Sequence, residues 1–93
     1  MTTDDIRRAV LLAAEEYPIS RATLFGSRAN GTATEDSDVD LIMEFNRPVS
    51  LLKLAALTDR LESLLHTSVD LIHGPLRPTD LLVVDKEVLL YAS

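Results

Sequence analysis

Apolar residues recur every three or four positions in two stretches of the chain, the spacing of an amphipathic helix. In the first stretch the shared face consists of Ile6, Ala9, Val10, Ala13 and Tyr17. Thr2 or Thr3 can cap this helix, and Pro18 predicts its end because the residue before a proline avoids helical angles. In the second stretch, which follows a potential N-cap at Ser50, the inward face consists of Leu54, Leu57, Leu61, Leu64 and Leu65, and the outward face of Asp59, Arg60 and Glu62.

Between these helices the pattern changes to strict alternation, which predicts a half-buried strand from Asp38 to Phe45. One face of this strand carries Val39, Leu41, Met43 and Phe45, and the other carries Asp38, Asp40, Ile42 and Glu44. Short apolar runs predict further strands at 22–25 and 69–72. Segment 79–91 is compatible with a helix followed by a short strand. Its pattern does not decide between helix and strand.

The predicted order of elements is helix, strand, strand, helix, strand, followed by a last element that is either helix or strand. This order indicates an α+β fold, in which a small mixed β-sheet carries helices packed on one face as a two-layer sandwich. The first two strands are joined without a full crossover helix, so the sheet need not be all parallel.

Length and composition set limits on the class of protein. A chain of 93 residues that is 46% apolar can bury one small core, and we expect a single domain over 1–93. No apolar run approaches the ~20 residues of a membrane span, and the polar, acidic start is unlike a secretory signal. The chain has no cysteine, which excludes thiolate metal sites and cysteine catalysis. We therefore expect a cytoplasmic protein that does not enter membranes.

The charge is unevenly distributed along the chain. Nine basic against fifteen acidic residues give a net charge of −6, which argues against a general nucleic-acid-binding face. No Lys or Arg occurs from Ala29 to Asn46, whereas that segment contains Glu35, Asp36, Asp38, Asp40 and Glu44. Such a cluster repels itself unless it is solvated, protonated or bridged by a cation.

Asp38 and Asp40 lie two residues apart on the alternating strand and so point the same way. Asp70 has the same alternation, between Val69 and Leu71, and lies beside the pair if the two strands are neighbours. Three carboxylates on one sheet face would suit Mg²⁺, which binds sparse carboxylate sites completed by substrate phosphates. A solvated strand face is the alternative reading of Asp-x-Asp alone. An EF-hand is excluded, since Leu41 and Arg47 stand where its loop needs Gly and Glu.

Gly26 and Ser27 follow a short apolar strand. A glycine at the start of a helical turn lets the backbone approach a phosphate, and the serine adds a hydroxyl donor. The pair is also ordinary turn chemistry, and it is not part of a Walker A loop.

Gly26-Ser27, a ten-residue gap and Asp38-Val39-Asp40 form a combination that resembles the nucleotidyltransferase superfamily of the DNA polymerase β type. The stretch from Leu24 to Leu41 is most similar to the minimal nucleotidyltransferases of prokaryotes. The resemblance implies that Gly26 and Ser27 form a phosphate-binding turn. Arg28, the next residue, is a candidate contact to a phosphate or to a partner, and a salt bridge to Asp36 or Glu35 is the alternative for it. It also implies two Mg²⁺ ions held by Asp38, Asp40 and Asp70, the last of which can help deprotonate the acceptor hydroxyl.

Members of that family of this small size resemble antitoxins encoded beside a HEPN-domain RNase toxin. The resemblance therefore implies transfer of AMP from ATP to a toxin tyrosine within a hetero-oligomer, without direct binding of nucleic acid. Two alternatives stay open: an antitoxin that blocks its partner by contact alone, and a subunit of a transferase that modifies a small molecule.

Overall fold

The computed structural model describes residues 2–26, 38–74 and 87–92. Within them lie helices α1 (Thr3–Ala14) and α2 (Leu51–Leu65) and strands β1 (Ile19–Phe25), β2 (Val39–Phe45), β3 (Val69–His73) and β4 (Val88–Ala92). The strands form one sheet in the order β3-β2-β1-β4. Strand β1 is antiparallel to β2 and β4, whereas β2 is parallel to β3 across the connecting helix α2. The predicted α+β fold with a mixed sheet is confirmed.

Helix α1 begins with a capping box between Thr2 and Asp5. The Thr2 hydroxyl accepts the Asp5 N–H at 3.1 Å, and the Asp5 carboxylate accepts the Thr2 N–H at 2.8 Å. The prediction that this helix runs to Pro18 and includes Tyr17 is wrong, because the helix ends at Ala14. The chain leaves the helix through a tightened turn, in which the Glu16 and Tyr17 N–H groups both donate to Ala13 O.

Strand β1 is longer than the apolar run from Ala22 predicted, since it starts at Ile19. Ile19 is paired with Phe45 across the antiparallel ladder, and this pairing extends the strand through polar Ser20 and Arg21. Strand β2 starts at Val39, so Asp38 immediately precedes it.

Helix α2 is capped where the sequence predicts, by Ser50, whose hydroxyl accepts the Lys53 N–H at 3.1 Å. It ends at Leu65 and is followed by the C-cap His66, which has a left-handed conformation with φ of 56° and donates its N–H to Glu62 O. Leu57, Leu61 and Leu65 are buried, while Leu54 and Leu64 are only half-buried. The inward face is therefore narrower than the sequence pattern suggested.

The core lies between the two helices and one face of the sheet. Its largest fully buried side chains are Ile6, Val10, Leu24, Val39, Leu41, Met43, Leu57 and Leu61. Because alternate residues of β2 enter this core, Asp40 between them is placed on the opposite face. Of the segment 79–91, for which helix and strand were left open, the part from Val88 is a strand, β4, while 79–86 lies outside the described residues. Neither of the two described helices has the length and apolar character needed to cross a membrane.

Candidate active site

The predicted carboxylates meet at one end of the sheet, where β1 ends and β2 and β3 begin. Asp40 on the central strand β2 is paired with Phe25 of β1 on one side and with Asp70 of β3 on the other. Asp38 lies just before the same strand. The condition on which the predicted cluster depended, that the two acidic strands are neighbours, is met.

The register also decides the face on which these side chains lie. Val39 and Val69 are paired partners and are both buried, with 0% and 7% of their surfaces exposed. Paired residues in parallel strands point to the same side, so Asp40 and Asp70 both project from the face opposite the helices, about 4.8 Å apart along the sheet. Asp40 is half-buried and Asp70 is exposed. This places a deeper and a shallower carboxylate side by side.

This arrangement raises the pKa of Asp40 above its ordinary value. The largest cause is partial burial, which removes water from the ionised carboxylate, and the negative charges of Asp70 and Asp38 act in the same direction. The ionised form of Asp40 is therefore less favourable here than in water, and either a proton or a cation would offset that cost. A divalent cation is the more effective partner at neutral pH, since it compensates several carboxylates at once.

Gly26 lies directly against this cluster. Its φ is +76°, and a Cβ placed on it would overlap the Asp40 Oδ2 atom and lie 3.3 Å from Asp40 Cγ. Both the backbone conformation and the contact require the absence of a side chain. Ser27 and Arg28, the other residues of the predicted phosphate turn, lie outside the described residues.

Two hydrogen bonds fix the starts of the parallel strands β2 and β3. Their acceptors, on Ser68 and Glu62, were not among the predicted site residues. Val39 donates its N–H to Ser68 O at 2.9 Å, and Val69 donates its N–H to the Glu62 Oε2 atom at 2.9 Å. Glu62 was predicted to face outward on α2, and that prediction is wrong, since its carboxylate turns toward β3. A glutamate on a helix can either face solvent or accept a hydrogen bond from the backbone of a neighbouring segment. The sequence pattern does not distinguish these two cases, so it could not identify the contact with Val69.

The donor set suits a hard divalent cation held together with phosphate oxygens. No group of three Asp, Glu, His or Cys side chains within the described ranges is close enough to hold a metal ion by itself. Mg²⁺ characteristically uses one or two carboxylates and takes its remaining ligands from water and substrate phosphates. The paired Asp40 and Asp70, with Asp38 adjacent and the Gly26 backbone alongside, fit that mode of binding.

A separate groove of about 640 Å³ lies on the helical layer, lined among others by Glu16, Tyr17, Lys53 and Arg60. Its cationic groups are engaged within the groove, since Arg60 lies 3.1 Å from the Glu16 carboxylate and the Lys53 ammonium lies 5.7 Å from the Tyr17 ring centre. None of the predicted site residues lines it. The carboxylate cluster therefore remains the candidate for chemistry.

A model of the nucleotidyltransferase domain matches residues 6–89, most of the chain. The chain belongs to the nucleotidyltransferase domain family. The matched segment includes Gly26, Asp38, Asp40 and Asp70, and the family predicted from the Gly-Ser and Asp-x-Asp motifs is confirmed.

Curated relatives include protein adenylyltransferase MntA of Thermococcus cleftensis and an inferred protein adenylyltransferase of Methanocaldococcus jannaschii. Each is 43% identical over 58 residues, which are 62% of this chain and 59% of the relative. The alignment thus spans about three fifths of the length of these relatives.

Solved structures share the fold. A structure described as an inferred minimal nucleotidyltransferase has a TM-score of 0.74 and 33% identity, and the match covers 95% of each chain. A toxin–antitoxin crystal structure with AMP-PNP has a TM-score of 0.77 at 21% identity, covering 94% of this chain and 73% of the other. A complex of a tri-AMPylated Shewanella oneidensis HEPN toxin with its MNT antitoxin has a TM-score of 0.70 at 19% identity, covering 99% and 74%.

Proposed function

We propose that this protein transfers AMP from ATP to a hydroxyl group, a tyrosine in the first instance, of a HEPN-type RNase toxin, and so acts as the antitoxin of that toxin. The observation that carries the proposal is the pairing of Asp40 with Asp70 beside Gly26, at the end of the sheet that Asp38 also reaches. Three carboxylates and a side-chain-free backbone are the groups needed to hold a metal-bound triphosphate.

In this proposal Asp38 and Asp40 would hold two Mg²⁺ ions, with Asp70 as a further ligand. The ions would neutralise the triphosphate and stabilise the charge that develops on the leaving pyrophosphate. Gly26 lets the backbone approach the phosphates, Ser27 donates its hydroxyl to them, and Arg28 provides a cationic contact.

The proposed reaction is an in-line displacement at the α-phosphorus of ATP. The acceptor oxygen forms a bond to the α-phosphorus, and the bond from the α-phosphorus to the bridging α–β oxygen breaks. The hydroxyl proton passes to the Asp70 carboxylate, and pyrophosphate leaves with the electron pair of the broken bond. Asp70 suits this role better than Asp40, since it is the more exposed of the two and can be reached by an acceptor from solvent.

The relatives support the choice of acceptor. Two curated relatives are named for protein adenylylation, and one structural neighbour is an antitoxin bound to an AMPylated HEPN toxin. The net charge of −6 favours a protein acceptor over nucleic acid. We therefore propose that the domain formed by 1–93 works in a cytoplasmic hetero-oligomer with a toxin supplied as a separate chain.

The test is incubation of the protein with ATP, Mg²⁺ and the product of the neighbouring gene, followed by mass spectrometry of that product. We expect its mass to rise by one or more AMP units, with the modified residue a tyrosine. A matched incubation with EDTA controls for the metal. An unmodified partner in the presence of Mg²⁺ would contradict the proposed activity.

A further inference from the structure

We infer that Glu62 is a positioning residue that sets the relative placement of the two acidic strands, an inference that rests on the proposed function for its catalytic meaning. The Glu62 Oε2 atom accepts the N–H of Val69, the residue immediately before Asp70, at 2.9 Å. A helix side chain thereby fixes the first residue of the strand that carries the third carboxylate.

The same glutamate also holds the turn that leads into β3. Its backbone carbonyl accepts the N–H of His66 at 2.8 Å, where the chain leaves α2 in a left-handed conformation. The three residues from His66 to Ser68 are thus held at both ends by Glu62, once through its main chain and once through its side chain. A three-residue connection held in this way has little freedom to shift.

This turn is in direct contact with the second acidic strand. Ser68 O accepts the N–H of Val39 at 2.9 Å, and Val39 lies between Asp38 and Asp40. A continuous chain of hydrogen bonds therefore runs from Glu62 through the turn to both acidic strands. The register of Asp40 against Asp70 depends on where β3 starts, so Glu62 acts on the metal-binding pair without contacting either carboxylate.

The charged acceptor is suited to this task. A hydrogen bond from a backbone N–H to an ionised carboxylate is shorter and stronger than one to a neutral acceptor. Glu62 is half-buried, which protects the bond from competition by water. Replacing Glu62 by a residue without an acceptor would release the Val69 N–H and allow the start of β3 to move.

Two variants of the same side-chain length isolate this effect in the full chain. Glu62→Gln and Glu62→Met both remove the negative charge and keep high helix propensity, but only Gln retains an acceptor oxygen. Glu62→Ala serves as a second variant without an acceptor. Ser50→Ala is the matched control, because it removes one side-chain hydrogen bond to the backbone at the opposite end of the same helix.

The first measurement is amide hydrogen exchange in the metal-free protein. We expect Glu62→Met to speed exchange at both Val69 and Val39 by about tenfold or more, with Glu62→Gln between the parent and Glu62→Met at both, because Gln keeps an acceptor but loses the charge. Val39 is the informative amide, because its partner is Ser68 rather than Glu62, so a purely local loss at Val69 would leave it unchanged. Unaltered exchange at Val39 in both Glu62→Met and Glu62→Ala would overturn the inference.

The second measurement is Mn²⁺ binding followed by electron paramagnetic resonance. We expect Glu62→Met to bind Mn²⁺ about tenfold more weakly than Glu62→Gln, with Ser50→Ala equal to the parent. Equal affinities for the Met and Gln variants would overturn the role of Glu62 toward the site. A parent protein that binds no Mn²⁺ would instead contradict the proposed function, and the exchange data would still decide whether Glu62 positions the strands.

Discussion

The α-carbon of Gly26 and the carboxylate of Asp40 are packed so closely that no side chain fits between them. This contact joins the end of β1 to the start of β2 and brings the glycine of the Gly-Ser motif to the acidic motif in space. The two halves of the motif are therefore parts of one site, and a change at the glycine is expected to act directly on the carboxylate.

We expect Gly26→Ala to weaken Mn²⁺ binding by at least about tenfold, because the new methyl group would displace the Asp40 carboxylate. The positive φ adds a backbone cost of about 1–2 kcal/mol, and the thermal midpoint should fall by several degrees. Titration with Mn²⁺ and thermal unfolding measure the two effects.

Gly74→Ala is the control for that variant. A Cβ at Gly74 would lie 2.8 Å from Ile42 Cγ2 and 3.3 Å from Glu44 Cγ, against the same strand, and none of its three nearest atoms belongs to Asp40. We expect it to lower the thermal midpoint while leaving Mn²⁺ affinity unchanged. If both glycine variants lost Mn²⁺ affinity equally, general destabilisation would explain the loss and the local contact would not.

Asp40→Asn is expected to keep the fold and to be at least as stable as the parent without metal at neutral pH. The pKa of Asp40 is raised in the folded state, first by burial and then by Asp70 and Asp38. The folded state therefore binds the proton more tightly than the unfolded chain, and the stability of the parent falls as pH rises through the interval between the ordinary pKa of 3.8 and the raised value.

The Asp40→Asn variant lacks this pH dependence. Its free energy of unfolding should therefore exceed that of the parent at neutral pH, and the difference should disappear below the ordinary pKa of Asp40. Thermal unfolding in EDTA from acidic to neutral pH measures the difference. A large fall of the midpoint in Asp40→Asn at neutral pH would show that Asp40 is a structural acceptor and would remove it from the proposed metal site.

Nucleotide binding should depend on a divalent metal. Asp38, Asp40 and Asp70 create a negative potential that repels a bare triphosphate, and a bound cation reverses it. Calorimetric titration with ATP should give binding in Mg²⁺ and little or none in EDTA. Equal affinity under both conditions would contradict a site that holds the triphosphate through metal ions.

The sequence predicted those features that follow directly from side-chain periodicity. Alternation along β2 separated Val39 and Leu41 from Asp40, and the alternation in β3 predicted Asp70 beside the acidic pair on the condition that the two strands are neighbours. The end of α1 and the start of β1 were mispredicted, because tertiary pairing of Ile19 with Phe45 overrides the local pattern. The role of Glu62 was not predictable, since it depends on a contact between a helix and the next strand.

The exchange of both carboxylates of the Asp-x-Asp motif for amides separates catalysis from inhibition by contact. Asp38→Asn with Asp40→Asn removes metal ligands but keeps side-chain volume and the buried face formed by Val39, Leu41 and Met43. An antitoxin that acts by contact should then still neutralise its partner. A catalytic one should lose protection while the complex with its partner persists.

Loss of a metal ligand costs several kcal/mol of transition-state stabilisation, so we expect the rate of AMP transfer to fall by at least about a hundredfold. For the parent and the double variant, mass spectrometry of the partner, an assay of complex formation and cell survival together distinguish AMP transfer from inhibition by contact. Ser50→Ala, which changes neither the acidic face nor the core, is the control for altered stability. A double variant that still protects cells, with no mass shift from either protein, would favour inhibition by contact over the enzymatic function.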